Sequence, residues 1–178
     1  GAAYYTIDCD STGEHWVVGV YGGSLYTSNG YTYMYTGSRR WIELVPSGVY
    51  KGHKWSCVAM SNNAKAILAT TAGEEGYTST ALSYSVTNQY SFETTFNWTI
   101  SEIYPDLDKV DGGDFYGCAL SQNYQYVWLA TRTHGVYTSD DYFNSSNNRF
   151  RYNDTDWLSV GVSDDGSMAV LLYLNSNN

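Results

Sequence analysis

Basic residues are scarce in this chain: nine Lys or Arg stand against eighteen Asp or Glu in 178 residues, a formal charge of −9. A polyanion is bound through a basic stripe that releases its counterions, so nucleic acid is excluded as a partner class. Long apolar runs are also missing. Nothing approaches the roughly 20 consecutive apolar residues of a membrane-crossing helix, and no such span is expected. Proline occurs twice and cysteine three times. The odd cysteine count leaves at least one of Cys9, Cys57 and Cys118 outside any intramolecular pair, and most of them are expected to be small buried core residues. No Cys-x-x-Cys occurs and His15, His53 and His134 are scattered, which excludes a zinc-type cluster. Leu, Ile, Val and Phe amount to only 34 residues, a content that alone would border on disorder.

Aromatic residues reverse that conclusion. Nineteen Tyr, six Trp and seventeen Gly, with about half the chain in Tyr, Ser, Thr, Asn and Gly, describe an all-β protein of many short strands. The chain begins Gly1-Ala2-Ala3, as expected of a mature chain cut from a leader after a small residue. Sequons at Asn97-Trp98-Thr99, Asn144-Ser145-Ser146 and Asn153-Asp154-Thr155 mark Asn97, Asn144 and Asn153 as candidate glycosylation sites. With the low Lys content they lead to the expectation of a secreted or cell-surface glycoprotein, although thirteen Asn and about 21% Ser plus Thr would produce roughly three sequons by chance.

Internal repetition is the most informative pattern. Trp55-Ser56-Cys57-Val58-Ala59-Met60-Ser61-Asn62 is followed by Ala66-Ile67-Leu68-Ala69-Thr70 and Gly76-Tyr77-Thr78-Ser79. Tyr116-Gly117-Cys118-Ala119-Leu120-Ser121-Gln122-Asn123 leads in the same way to Val127-Trp128-Leu129-Ala130-Thr131 and Val136-Tyr137-Thr138-Ser139. An upstream copy starts at Tyr4 and ends in Leu25-Tyr26-Thr27-Ser28; a fourth starts at Trp157 and breaks off after Met168-Ala169-Val170-Leu171-Leu172. Each copy reads as a small-and-apolar strand, a Ser/Asp-Asn-Gly-type turn, a nearly continuous apolar strand, and a third strand ending Tyr-Thr-Ser. A fourth strand is expected in Arg40–Leu44 and in Phe96–Ile100. Units of this size cannot bury both faces alone and must stack, which is the arithmetic of β-propeller blades. The expected organisation is one domain of four degenerate four-stranded repeats at about 4–54, 55–115, 116–156 and 157–178, the last incomplete. About fourteen strands result, two short of four complete blades, and an open edge invites pairing with another chain.

The repeat resembles the bacterial-neuraminidase or Asp-box repeat of sialidase-like β-propellers, most closely at Trp157–Gly166 and Trp55–Ser61. The box itself is eroded. After the three Tyr-Thr-Ser segments come Asn29-Gly30-Tyr31, Thr80-Ala81-Leu82 and Asp140-Asp141-Tyr142, none of which keeps both the Asp and the Gly at family spacing. The resemblance implies a propeller; the sialidase chemistry it would also imply needs three clustered Arg, a Tyr activated by Glu, and an acidic proton donor. Five Arg are present, Arg39, Arg40, Arg132, Arg149 and Arg151, and the adjacent pair would point to opposite faces of a strand.

Other candidate sites are binding sites. Tyr31, Tyr33 and Tyr35 alternate on one expected strand face, suited to blade packing, to a protein interface or to stacking of sugar rings. Asp106, Asp108, Asp111 and Asp114 crowd four carboxylates beside Gly112-Gly113, either a solvated acidic turn or a set of hard oxygen ligands for Ca²⁺; no other cofactor is implied. The expected function is therefore a non-catalytic extracellular structural or adhesive protein that self-associates into a filament, a surface layer or a homo-oligomer. A glycan-binding module that takes carbohydrate is the alternative, and a sialidase-like glycosidase a third reading.

Overall fold

The computed structural model describes residues 3–29, 41–44, 52–72, 81–86, 98–102, 115–132, 135–141, 149–151 and 156–174. These residues form fourteen strands: β1 (Ala3–Cys9), β2 (His15–Gly23), β3 (Leu25–Asn29), β4 (Trp41–Glu43), β5 (His53–Met60), β6 (Ala66–Thr71), β7 (Ala81–Val86), β8 (Trp98–Glu102), β9 (Phe115–Leu120), β10 (Val127–Thr131), β11 (Val136–Ser139), β12 (Arg149–Arg151), β13 (Trp157–Val162) and β14 (Ala169–Tyr173). Each pairs antiparallel with its sequence neighbour to give three four-stranded groups, β1–β4, β5–β8 and β9–β12, and the hairpin β13–β14. At its end β2 also meets β5 through Tyr21↔Lys54 and Gly23↔His53, which makes the first two groups one continuous sheet. The fourth strands expected around Trp41 and Trp98 are β4 and β8. One strand lies elsewhere: the third strand of the second group is Ala81–Val86, after the Tyr77-Thr78-Ser79 segment expected to end it. Its alternation Ala-Leu-Ser-Tyr-Ser-Val pairs in register with Ala66–Thr70, from Ala66↔Ser85 to Thr70↔Ala81.

The turn between the first two strands recurs in all four groups because a short side-chain circuit specifies it. The Ser61 hydroxyl donates to Asn63 Oδ1 (2.9 Å) and accepts from the Ala66 N–H (2.9 Å). Ser121 does the same with Asn123 and Tyr126, and Ser163 with Asp165 and Met168. In the first group the roles are exchanged: the Thr12 hydroxyl donates to the Asp10 carboxylate (2.9 Å), which also accepts from His15 N–H. The residue three positions after Asp10, Ser61, Ser121 or Ser163 is left-handed each time, at Gly13, Ala64, Tyr124 and Gly166 with φ between 54° and 73°. These turns touch one another. Ser11 N–H donates to Asn62 O, Gln122 N–H to Asp164 O, and Asn62 Nδ2 to Asp164 Oδ1 at 2.7 Å. Contact between the second and fourth groups, past the third, requires the row of groups to curve about an axis at this end.

Three apolar cores fill the gaps between groups. Strand alternation supplies both sides: on β5 and β6, Trp55, Val58, Met60, Ile67 and Ala69 pack against Val17, Leu25 and Leu44 of the first group. Ala59 and Leu68 point the other way, onto Phe115, Cys118, Val127 and Leu129. From the third group Ala119, Ala130 and Val136 then meet Trp157 and Val160. Consequently every position of β6 is buried.

The first strands of successive groups also run side by side. Thr6 Oγ1 and Asp8 Oδ2 on β1 accept from the Val58 and Met60 N–H groups of β5, at 3.0 and 2.7 Å. Cys57 on β5 is disulfide-bonded to Cys118 on β9, with Cα atoms 5.9 Å apart. Two cysteines expected to be simple core residues are thus a cross-link, because equivalent repeat positions on adjacent strands fall within disulfide range. Cys9 is the free cysteine. At Gly117 a Cβ would lie 2.7 Å from the Ser159 Cα, so glycine is what lets β9 approach β13.

Closing a loop over a sequence separation of 61 residues constrains the unfolded chain, so reduction should lower stability by about 4 kcal/mol; denaturant melts of a Cys9→Ser background with and without a thiol reductant read this, and coincident melts would refute it. Gly13→Ala meets no neighbour within 4 Å and should cost about 1 kcal/mol for its positive φ. Gly166→Ala, whose Cβ would fall 2.0 Å from the Tyr126 ring, should cost distinctly more in the same melts. Hydrogen bonds from Ser167 N–H and from the Ser163 and Ser167 hydroxyls hold the Asp165 carboxyl down at about 2, against the ordinary 3.8. Its depressed value stabilises the fold above about pH 4 and is lost as pH falls toward 2. The melting-temperature advantage of wild type over Asp165→Asn should therefore shrink across that window, whereas parallel curves would show that Asp165 ionisation contributes nothing.

Candidate functional site

All ten side chains nominated by sequence, Asn97, Asn144, Asn153, Tyr31, Tyr33, Tyr35, Asp106, Asp108, Asp111 and Asp114, lie outside the described residues. Among the described residues the most distinctive surface is the outer face of the first group, turned away from the second. Ile7 on β1 pairs with Val18 on β2, which pairs with Tyr26 on β3, giving a row of side chains across three strands. A register shift between Tyr4 and Thr6 breaks the alternation of β1. As a result Tyr4 and Tyr5, though adjacent, both line the same hollow. With Thr6 and Trp41 these residues enclose an open cavity of about 500 Å³. Tyr4 is 76% exposed, Ile7 58% and Trp41 44%. Tyr21 stacks obliquely on Tyr5 at 5.6 Å between centroids, and the Lys54 ammonium lies over the Tyr21 ring, 5.3 Å from its centroid.

The lining offers aromatic faces, two aliphatic side chains and hydroxyls. The lining residues themselves include no carboxylate, imidazole or thiol, but Glu43 on β4, the register partner of Tyr26 and two residues from Trp41, stands on the same face at its edge. The titratable groups of β1 serve the fold instead. Burial raises the Asp8 carboxyl, opposed by hydrogen bonds from the Met60 and Cys9 N–H groups. Burial also pushes Asp10 up, but hydrogen bonds from His15, 2.6 Å away, and Thr12 outweigh it and hold that carboxyl below its ordinary value. No group of three or more His, Cys, Asp or Glu among the described residues is placed to hold a metal.

A second exposed apolar face lies at the other end of the row. Leu171 packs inward on the third group, while Val170 (76% exposed), Leu172 (58%), Met168 and Leu174 look out. Both faces carry a sequence signal: the period-two spacing of Met168, Val170, Leu172 and Leu174, and the cluster Tyr4-Tyr5-x-Ile7.

No family model matches the chain, and no curated protein matches it. Solved structures do. Over 98% of its length the chain superposes on the Cps50 (Swd1) β-propeller domain of Myceliophteria thermophila, with a TM-score of 0.67 and 12% identity. Over 91% it superposes on U3-55K, with a TM-score of 0.59 and 11% identity. It spans 49% and 43% of those two chains, about half of each. The fold is an all-β propeller, as the repeats implied; these comparisons do not support membership of the Asp-box family. The expected secreted or cell-surface location is corrected, since Swd1 and U3-55K are subunits of intracellular complexes. Three sequons are the number that composition alone produces, so they carry no independent weight for secretion.

Proposed function

We propose that the chain is a non-catalytic protein-interaction module, a scaffold element that presents apolar strand faces to other proteins. The observation that carries this reading is the hollow lined by Tyr4, Tyr5, Thr6, Ile7, Val18, Tyr26 and Trp41. Tyr and Trp supply large contact areas with few rotatable bonds, which is why they are concentrated where proteins meet. Exposed apolar area in a contiguous patch costs solubility, and it is retained where something covers it. Propeller neighbours that work as complex subunits support the same reading. On this proposal the repeats at about 4–54, 55–115, 116–156 and 157–178 each contribute one strand group, and stacked groups hold the binding face rigid.

A phage-displayed library of unstructured peptides is the probe. Selected binders should be rich in aliphatic and aromatic residues. Ile7→Asp or Trp41→Ala should weaken them at least about tenfold, or roughly 1.4 kcal/mol, while leaving the circular dichroism spectrum intact. Binders indifferent to both substitutions would refute the assignment of the face. Retention on a glycan array that Trp41→Ala abolishes would replace it with carbohydrate recognition.

A further inference from the structure

Where successive groups meet, one contact recurs among the described residues: a first-strand residue stands against a backbone N–H of the next group's first strand. At the first junction the Thr6 hydroxyl accepts from Val58 N–H at 3.0 Å. At the third, Gly117 brings no side chain, and a Cβ there would lie 2.9 Å from the Val160 nitrogen. At the second the residue is Cys57, whose sulfur accepts from Cys118 N–H at 3.0 Å and is bonded to the Cys118 sulfur. Two of the three junctions therefore stack with no covalent link, through apolar packing and close backbone approach. A cross-link is not what this architecture needs in order to form. The surroundings also suit the opened state. With the S–S bond broken, Cys57 Sγ keeps the Cys118 N–H as its donor. Its thiol hydrogen has the Cys118 and Val58 carbonyl oxygens as acceptors, 3.7 and 3.8 Å from the sulfur, in the weak hydrogen bonds a thiol makes. Access differs between the two sulfurs: Cys57 is half-buried, whereas Cys118 is only 6% exposed and belongs to the core.

We propose that Cys57 and Cys118 form a reversible thiol–disulfide switch at the junction of the second and third groups, with Cys57 the sulfur that meets oxidant and reductant. The oxidant is a hydroperoxide. Cys57 thiolate attacks one peroxide oxygen: an S–O bond forms, the O–O bond breaks, and the other oxygen departs protonated, as water or an alcohol. The Cys118 thiol then attacks the Cys57 sulfenic acid. The S–S bond forms, the S–O bond breaks, and the hydroxyl leaves with the Cys118 proton as water, so that two thiols have passed two electrons to the peroxide. A monothiol such as glutathione reverses the change. Its thiolate bonds to the Cys57 sulfur and displaces Cys118; a second thiolate displaces Cys57 and carries away oxidised glutathione. Each displaced sulfur takes up the proton its attacker gave up. Cys9 does not compete. Burial, and then the neighbouring Asp8 and Asp10 carboxylates, push its thiol up, and the thiolate is the reactive form. Closed, the switch ties β5 to β9 covalently; open, it leaves this junction held as the other two are.

The full chain, reduced with a dithiol and freed of it, is given hydrogen peroxide, then alkylated in denaturant and peptide-mapped. Wild type should recover the Cys57–Cys118 link while Cys9 stays alkylatable, and excess glutathione should reopen that link in the folded protein. In Cys118→Ser, dimedone should trap a sulfenic acid at Cys57; in Cys57→Ser it should trap none at Cys118. If Cys118→Ser disturbs folding, the wild-type mapping decides. Any of four results would overturn the proposal: a link that peroxide does not form, a native link that survives excess glutathione until the chain unfolds, peroxide consumed first at Cys9, or an adduct at Cys118 in place of Cys57.

Discussion

A sheet that is apolar on both faces cannot stand alone in water, and this one constraint organises the molecule. β6 is buried at every position because it belongs to two cores at once, Ile67 and Ala69 to one and Leu68 to the other. Burying a side chain of this size contributes roughly 1.5–3 kcal/mol, so a group separated from its neighbours would forfeit much of what holds it together. Stacking is thus a condition for folding, and each group is the solvent-excluding partner of the next.

Directional contacts decide how the groups stack. Apolar packing fixes that two sheets meet but tolerates some sliding. Thr6 and Asp8 docked on alternate N–H groups of β5 remove that freedom, as do the disulfide from β5 to β9 and the missing side chain at Gly117. The Ser-x-Asn turns add hydrogen bonds from group to group at one end. Alignment of the first strands and contact between turns together impose curvature. The candidate binding surface is built by the same alternation that forms the core, with Val17 and Val18 on opposite faces of β2.

The division of labour between sequence and structure is visible in particular residues. Val17, Val58, Met60, Ile67 and Leu129 could be assigned to strands because alternation and turn chemistry are local properties. The third strand of the second group was misplaced since Tyr77-Thr78-Ser79 and Ala81–Val86 satisfy the same local pattern, and only pairing with Ala66–Thr70 chooses between them. Tyr4 and Tyr5 are not legible as a pair, because period-two alternation puts neighbours on opposite faces and the register shift that brings them together depends on β2. Density in sequence singles out Tyr31–Tyr35 and Asp106–Asp114 but not Trp41, which reaches the hollow of β1 and β2 through β3.

The sequence by itself determined the all-β class, the repeated strand–turn–strand unit, and the need of each unit for a neighbour. Those follow from side-chain type and spacing within some twenty residues. Tertiary structure alone decided that Cys57 meets Cys118, that Asn62 meets Asp164, and that the aromatic face of the first group and the aliphatic face of β14 are left open. The two contacts join segments 61 and 102 residues apart, and all of these features are set by the sum of many packing contacts, which no local pattern carries.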